Sequence, residues 1–288
     1  MIAEYSYLTT AQLAADSVRL CTMLPPTIDA IVGVSRSGLL PASIVATHLH
    51  LPMYSVSPSK GVLHLGTGLR IEGNDPDRRP MHVVVIDDTV SRGGAMRRVL
   101  PIVERAFADC TISTACVYVH PMGVRIPDYH VEVLPGAHYL EWNWANAIHA
   151  EYCGFDFDGI LCRDCLPAEN DDGPRYRQFL RTATPLFLPR RASIPLIVTA
   201  RHEHYREETR EWLARHRITC DRLVMRRFAV QPRDWIAAIS EFKADAYRDS
   251  GLQLFAESEP EQATRIHALT GMPVLCPAAG RVYSRNLT

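Results

Sequence analysis

Two groups of acidic residues stand where they could act on phosphate compounds. Asp87 and Asp88 directly follow an apolar run and precede Gly93 and Gly94. The glycines let backbone N–H groups approach a phosphate, and the start of the following helix favours an anion. Carboxylates directly before such a phosphate site suit the hydroxyl groups of a ribose 5-phosphate. A strand followed by an Asp-capped turn is the structural alternative.

A second group begins with Asp156 and Asp158, which flank Phe157 at the end of another apolar run. At a strand end the chain turns, so that both carboxylates can reach one phosphoryl group. Singly, an Asp-x-Asp sequence is usually a solvated turn, and a lone lysine is usually a surface residue. The same group continues at the ends of later apolar runs or in the helices beside them, with Thr199, Lys243, Glu257 and Glu259.

The elements that must position these residues follow an α/β pattern. Apolar runs typical of buried strands alternate with segments of helical periodicity. The pattern restarts near residue 149, and 288 residues are comfortable for two domains. We therefore predict domains at residues 1–148 and 149–288. Ser57–Pro80 is rich in Gly, Pro and Asp, and is expected to be a loop or a loosely held hairpin.

The composition excludes several classes of protein. The net charge of −1 argues against a dedicated nucleic-acid binder. No apolar run is long enough for a membrane span, and the N-terminus lacks the pattern of a signal peptide. The eight cysteines are scattered, which suggests reduced thiols in a cytoplasmic protein. The closest pair, Cys162 and Cys165, has no partner pair at zinc-finger spacing.

The first half resembles the type I phosphoribosyltransferases. The segment from Val83 to Met96 resembles their ribose-phosphate motif, and Ile31–Ala42 resembles their pyrophosphate loop. A third segment, Gly66–Gly73, is similar to the mobile loop of orotate phosphoribosyltransferases. The resemblance implies that Asp87 and Asp88 bind the ribose hydroxyls of phosphoribosyl pyrophosphate (PRPP). It assigns the 5-phosphate to Ser91, Arg92, Gly93, Gly94 and Ala95, and the pyrophosphate to Ser35, Arg36, Ser37 and Gly38.

Two further sets of residues are candidates around this site. Lys60, His64 and Arg70 are the groups that a mobile loop would bring over the ligand. Tyr139, Trp142 and Trp144 could stack on a nucleobase, or they could belong to core or interdomain packing.

The second half, about residues 150–277, resembles the haloacid dehalogenase-like phosphohydrolases. The resemblance implies that Asp156 is the nucleophile that forms an aspartyl-phosphate and that Asp158 is the general acid and base. Thr199 would bind the transferring phosphoryl group, and Lys243 would neutralise its charge. Only two of the 31 basic residues are lysines, Lys60 and Lys243. A compact ammonium group at a phosphoryl group explains why position 243 is a lysine and not an arginine.

The same resemblance implies a Mg²⁺ site. Glu257 and Glu259 would hold the ion together with Asp156 and the backbone carbonyl of Asp158, since Mg²⁺ prefers oxygen ligands. The short segments after Gly159 and after Thr199 leave no room for a large cap domain. We therefore predict a capless phosphatase core with an open site.

These expectations combine into a bifunctional enzyme of two doubly wound, parallel-sheet α/β domains. The first would transfer phosphoribose from PRPP to a base-like acceptor. The second would hydrolyse a phosphate monoester with Mg²⁺, and the nucleotide itself is the expected substrate. We expect a cytoplasmic homodimer with small-molecule substrates, and no nucleic-acid or membrane partner. The alternatives are a regulator that senses PRPP or a nucleotide, and a degenerate phosphatase scaffold.

Overall fold

A computed structural model describes residues 5–67 and 79–284 of the chain. Contacts between residues divide it into two compact units. The first unit is residues 10–136, and the second joins the described residues up to Thr9 with those from Ala137 onward. The contacts thus divide the chain at two points, whereas the restart of the strand-helix pattern gives one boundary near residue 149. The ranges 1–148 and 149–288 stay a prediction.

Helices and strands alternate through both units, and the predicted α/β class is confirmed. In chain order the elements are β1 (Tyr5–Leu8), α1 (Thr10–Cys21), β2 (Ala30–Val34), α2 (Leu39–Leu49), β3 (Met53–Ser57), β4 (Gly61–Gly66), β5 (His82–Val90), α3 (Gly94–Ala106), β6 (Thr111–Val119), β7 (Tyr129–Val133), β8 (Ala137–Leu140), β9 (Cys153–Phe155), α4 (Pro174–Thr182), β10 (Leu196–His202), α5 (Arg206–Arg215), β11 (Leu223–Arg226), α6 (Trp235–Arg248), β12 (Leu254–Ala256), α7 (Pro260–Thr270), β13 (Val274–Cys276) and β14 (Arg281–Tyr283).

The first unit is built on a six-stranded sheet in the order β4-β3-β2-β5-β6-β7. All neighbouring strands are parallel except β3 and β4, which form an antiparallel hairpin. Helix α3 packs its apolar stripe, including Met96, Val99 and Val103, on one face of this sheet. Helix α2 covers the other face so closely that a Cβ on Gly33 would lie 2.8 Å from the Ala42 Cβ. The central strands are therefore apolar on both faces.

The second unit contains a sheet in the order β11-β10-β9-β12-β13-β14, parallel except for β14. Strand β9 is short, fully buried and central. Phe155 faces the core shared with Phe179 of α4 and Trp212 of α5. Phe255 of β12 faces the opposite core, where Tyr247 of α6 lies 5.5 Å from it between ring centroids. Helices thus cover both faces, and the carboxyl ends of β9, β10 and β12 meet at one edge.

A separate two-stranded sheet pairs β1 with β8 in parallel. Tyr139 of β8 stacks on Tyr5 of β1 at 6.2 Å, and Trp144 stacks on Phe155 at 5.5 Å. Both Tyr139 and Trp144 are buried in the core of the second unit. This placement favours packing over base stacking for these two side chains, whereas Trp142 is half-buried.

The segment expected to be a loop or hairpin contains a hairpin. Strands β3 and β4 pair from Met53 to Gly66, and residues 68–78 lie outside the described residues. The cysteines in the described ranges carry free thiols. No helix in those ranges has the length and apolar character needed to cross a membrane.

Candidate functional site

The acidic pair of the first unit lies near the carboxyl end of β5. The strand continues to Val90 instead of ending at Ile86, so that both carboxylates belong to the paired strand. Asp87 and Asp88 are buried, and the Asp88 backbone N–H donates to Asp87 Oδ1 at 3.0 Å. Burial, and then the neighbouring Asp88 carboxylate, raise the pKa of Asp87 to about 8. The Asp87–Asp88 pair therefore carries less than two full negative charges at neutral pH.

The loop after β2 contacts this acidic pair directly. Ser37 Oγ donates to Asp88 Oδ1 at 3.0 Å. A Cβ on Gly38 would lie 2.7 Å from the Val34 carbonyl oxygen and 2.8 Å from Asp87 Oδ1, so that only glycine fits there. The Ser35–Arg36 peptide bond is cis, and the side chain of Arg36 is exposed. The structure therefore brings together the residues predicted to bind pyrophosphate and those predicted to bind ribose.

The predicted phosphate loop leads from β5 into α3. Gly93 precedes the helix with a φ of 71°, a conformation that favours glycine. A Cβ at Gly93 would also collide with Ile126. Ser91, Arg92 and Gly94 are exposed, and Ala95 is half-buried. The first N–H groups of α3 lack partners within the helix, which makes this loop suitable for an anion.

The predicted closing groups are spread along the hairpin and beyond it. Lys60 is exposed in the β3–β4 turn, where its backbone N–H donates to Ser57 Oγ at 3.1 Å. The ring of His64 packs 4.7 Å from that of Tyr54. Arg70 lies outside the described residues.

In the second unit, Lys243 joins two carboxylates at the sheet edge. Its Nζ lies 2.9 Å from Asp156 Oδ2 and 2.6 Å from Glu257 Oε2, and all three side chains are buried. Asp156 Oδ1 accepts a hydrogen bond from the Phe157 backbone N–H at 2.7 Å. Burial raises the pKa of Asp156 well above its ordinary 3.8, Glu257 adds to this rise, and Lys243 opposes it. Burial would lower the pKa of Lys243, but the two carboxylates more than offset this and raise it.

Asp158 is held by an arginine that the sequence analysis did not identify. Arg201 Nη2 and Nε donate to the two oxygens of Asp158 at 2.6 and 2.9 Å. The Arg201 side chain is completely buried, and its guanidinium carbon lies 3.8 Å above the centre of the Phe157 ring. Thr199 is also buried, and its Oγ1 accepts from the Arg201 backbone N–H at 3.2 Å. The available sequence signal was the cation two residues after Thr199 at the end of an apolar run.

The carboxylates predicted to bind Mg²⁺ are engaged by other partners. Glu257 pairs with Lys243, and its second oxygen accepts from the Glu259 backbone N–H at 3.1 Å. Glu259 is the N-cap of α7 and accepts from the Gln262 N–H at 2.7 Å. Among the described residues, no three His, Cys, Asp or Glu residues are grouped as a metal centre. The metal role of the four predicted ligands is not tested by this arrangement and stays a prediction.

An open cavity of about 1270 Å³ lies above this edge of the second unit. Asp156, Asp158, Lys243 and Glu259 line it, whereas Thr199 and Glu257 lie behind its surface. The cavity also has aromatic and cationic walls that the sequence analysis did not identify. They include Tyr176, Tyr205, Arg226 and Trp235.

Comparison with known proteins identifies part of the chain. Residues 6–148 match the family model described as a phosphoribosyl transferase domain. A phosphoribosyl transferase domain thus covers this part of the chain. The match begins in β1 and ends beyond β8, so that it includes the small sheet grouped with the second unit.

Curated relatives match a shorter stretch of the chain. The orotate phosphoribosyltransferases of Listeria monocytogenes and Lactobacillus johnsonii are each 34% identical over 93 residues. That match covers 32% of this chain and 42% of each relative, so the chain spans less than half of their length. Among solved structures, the purine phosphoribosyltransferase of Pyrococcus horikoshii matches at 24% identity with a TM-score of 0.37. It covers 48% of this chain and 94% of its own.

Proposed function

We propose that the chain is a bifunctional enzyme, with one reaction in each unit. The phosphoribosyl transferase domain transfers phosphoribose from PRPP to a base-like acceptor, giving a nucleotide and pyrophosphate. The second unit is a capless, haloacid dehalogenase-like phosphatase that hydrolyses a phosphate monoester. The observation that carries the second assignment is the meeting of Asp156, Asp158 and Lys243 in one cavity. Asp156 follows β9, and Lys243 reaches it from α6.

For the transfer reaction, the support is the contact between the two ligand loops. Ser37 bonds to Asp88, and Gly38 is in close contact with Asp87. The buried carboxylates would accept the ribose hydroxyls, and the start of α3 would bind the 5-phosphate. The loop at residues 35–38 would hold the departing pyrophosphate, and Mg²⁺ bound with PRPP would offset part of its negative charge. Catalysis then depends on positioning the two reactants and stabilising the leaving group.

For hydrolysis, an oxygen of Asp156 would attack phosphorus and form an aspartyl-phosphate while the bond to the leaving alcohol breaks. Asp158, in its protonated form, would give a proton to that alcohol, then take one from the water that attacks the aspartyl-phosphate, releasing inorganic phosphate. Lys243 offsets the negative charge at Asp156. Arg201 orients Asp158 through its two hydrogen bonds. We assign no step to a metal ion at these carboxylates.

The hydrolytic activity is tested with p-nitrophenyl phosphate on the whole protein, with and without Mg²⁺. We expect Asp156→Asn to lower kcat by at least a thousandfold while the protein stays folded. The proposal fails if the variant and the wild type hydrolyse the ester at equal rates.

The transfer activity is tested by pyrophosphate release from PRPP over a panel of nucleobases. We expect release by the wild type and a large loss in Asp88→Asn, because the ribose hydroxyls lose a carboxylate partner. If no base gives release above the rate in Asp88→Asn, the transfer assignment is wrong.

Serial action of the two reactions is a further part of the proposal. Hydrolysis of the nucleotide product would make a reversible transfer effectively one-way. The presence of both sites in one chain motivates this proposal of serial action.

A second candidate is a nucleotide-binding scaffold without hydrolysis. It is favoured by the ion pairs that engage Asp158 and Glu257. Binding of a nucleotide without turnover would support this candidate.

A further inference from the structure

One wall of the second unit's cavity contains an arginine that takes no part in the proposed chemistry. Arg226 ends β11, beside the end of β10. Its Nε donates to the Ala200 carbonyl at 3.0 Å, and its Nη1 donates to the Phe228 carbonyl. Its guanidinium carbon also lies 5.3 Å from the centre of the Trp235 ring. These contacts fix the position of the guanidinium without neutralising its charge.

The other two cations of the cavity each have carboxylate partners. Arg201 pairs with Asp158, and Lys243 pairs with Asp156 and Glu257. For Arg226, the contacts within the described part of the chain are two carbonyls and one aromatic ring. Burial lowers the pKa of Arg226, although nearby Tyr176 and Asp172 oppose this, which indicates that its charge is partly removed from water. A half-buried guanidinium with free N–H donors is suited to bind an acceptor group of a ligand.

The cavity is lined with aromatic side chains and is much larger than a phosphate group requires. Tyr176 and Tyr205 pack edge to face with ring centroids 5.0 Å apart, and the Tyr205 hydroxyl donates to Asp172 Oδ1 at 2.5 Å. Together with Trp235 they give this part of the cavity aromatic surfaces, although the Tyr205 ring itself is buried. Such surfaces, and the face of an arginine, favour a planar ring over a flexible alkyl group.

The charge of the cavity argues against a second anionic group on the ligand. Its lining contains five carboxyl side chains, the two histidines His202 and His204, and three cationic side chains, Arg201, Arg226 and Lys243. The five are Asp156, Asp158, Asp164, Asp172 and Glu259. The ionised carboxylates of this lining would repel a second phosphate or carboxylate, whereas they would not repel a neutral ring with carbonyl acceptors.

We infer that Arg226, supported by Trp235, is a specificity-determining residue that binds the nucleobase of a nucleoside monophosphate. This inference rests on the proposed phosphatase function and assigns recognition of the base in its nucleotide substrate to Arg226. The phosphate would lie at Asp156, and the base would stack in the aromatic part of the cavity. Its carbonyl oxygens would accept hydrogen bonds from the guanidinium.

The test compares substrates that differ only by the base. UMP and IMP are each compared with ribose 5-phosphate, which has the same phosphate and sugar but no base. We expect Arg226→Gln to raise KM for at least one nucleotide about 10- to 100-fold, the effect of losing a charge-assisted hydrogen bond. Its kcat, and both constants for ribose 5-phosphate, should stay within about twofold. Arg226→Lys should resemble Arg226→Gln, because lysine lacks the planar donor group.

Arg227→Gln is the matched control, because Arg227 is the exposed neighbour whose contact is Glu203. It should leave the constants for all three substrates unchanged. The inference is overturned if Arg226→Gln changes KM equally for UMP, IMP and ribose 5-phosphate, or changes none. It is also overturned if neither nucleotide binds more tightly than ribose 5-phosphate.

Failure of the proposed function gives a different result. In that case Asp156→Asn would hydrolyse the esters as fast as the wild type, or the wild type would hydrolyse none. Calorimetric binding of UMP and IMP to the wild type and to Arg226→Gln then decides the inference alone. Weaker binding to the variant supports it, and equal binding overturns it.

Discussion

Replacing Lys243 with methionine tests the buried charges of the second unit most sharply. The substitution keeps a long apolar side chain and removes the ammonium. Asp156 and Glu257, which lie 2.9 and 2.6 Å from Lys243 Nζ, then remain buried beside each other without a cation. Removing one partner of such a buried group costs about 3–5 kcal/mol, because the remaining charges are uncompensated. We expect about 4 kcal/mol at pH 8.

The loss of stability should depend on pH. The pKa of Lys243 is raised, so the contribution of its ammonium to stability is fully present below the unfolded pKa of 10.5. That contribution is therefore constant between pH 5.5 and 8. The raised pKa of Asp156 makes its carboxylate destabilising as pH rises. In the variant the folded carboxyl pair should hold one more proton than in the wild type. The difference then shrinks by about 1.4 kcal/mol for each unit below pH 8, towards about 0.5 kcal/mol at pH 5.5.

Tryptophan fluorescence during urea unfolding measures this change in the second unit alone. The four tryptophans of the chain, at positions 142, 144, 212 and 235, all belong to that unit. Lys60→Met is the matched control, since Lys60 is the other lysine of the chain and is exposed. It should leave the free energy of unfolding unchanged at both pH values.

A second carboxylate change tests the cause. Glu257→Gln added to Lys243→Met should recover about half of the lost stability at pH 8, because it removes one of the two facing charges. The reasoning is refuted if Lys243→Met costs less than about 1 kcal/mol at pH 8, or costs the same at pH 5.5 and pH 8.

Three further outcomes are expected. Gly38→Ala should weaken PRPP binding at least tenfold in calorimetry, because its Cβ would lie 2.8 Å from Asp87 Oδ1. In Gly94→Ala the new Cβ would meet open space, so this variant should fold normally. PRPP binding at pH 7 should release a proton, since ligand hydroxyls favour the Asp87 carboxylate whose pKa is about 8. The affinity for PRPP should then rise as the pH rises towards 8. Calorimetry in buffers of different ionisation enthalpy measures the proton release, which Asp87→Asn should abolish. Trp212→Phe should cost about 1–2 kcal/mol more than Trp144→Phe in thermal unfolding. The indole N–H of Trp212 donates to a buried carbonyl at 2.7 Å, and that of Trp144 has no partner within the described ranges.

The sequence predicted the positions of the acidic groups because strand ends are local features. Asp87, Asp88, Asp156 and Asp158 each follow an apolar run, and parallel strands bring such ends to one edge of a sheet. The α/β class followed from the same alternation of runs. Lys243 was identified through its position in the chain, and the structure gives it two carboxylate contacts.

Features set by distant residues could not be predicted in the same way. Strands β1 and β8 pair although more than 120 residues separate them, and no local pattern encodes that partner. The pairing of Arg201 with Asp158 depends on the register of β9 and β10. The N-cap role of Glu259 did have a local signal, since an acidic residue before Pro260 is typical of a helix start.

One reaction followed by phosphorus NMR tests the two-site account most directly. The whole protein is mixed with PRPP, Mg²⁺ and a panel of bases, and PRPP, pyrophosphate, nucleotide and inorganic phosphate are resolved in the same spectrum. We predict that the wild type produces pyrophosphate and then inorganic phosphate. Asp156→Asn should produce pyrophosphate at the same rate and accumulate the nucleotide. Formation of the same final products by both proteins, or no pyrophosphate from any base, would contradict the account.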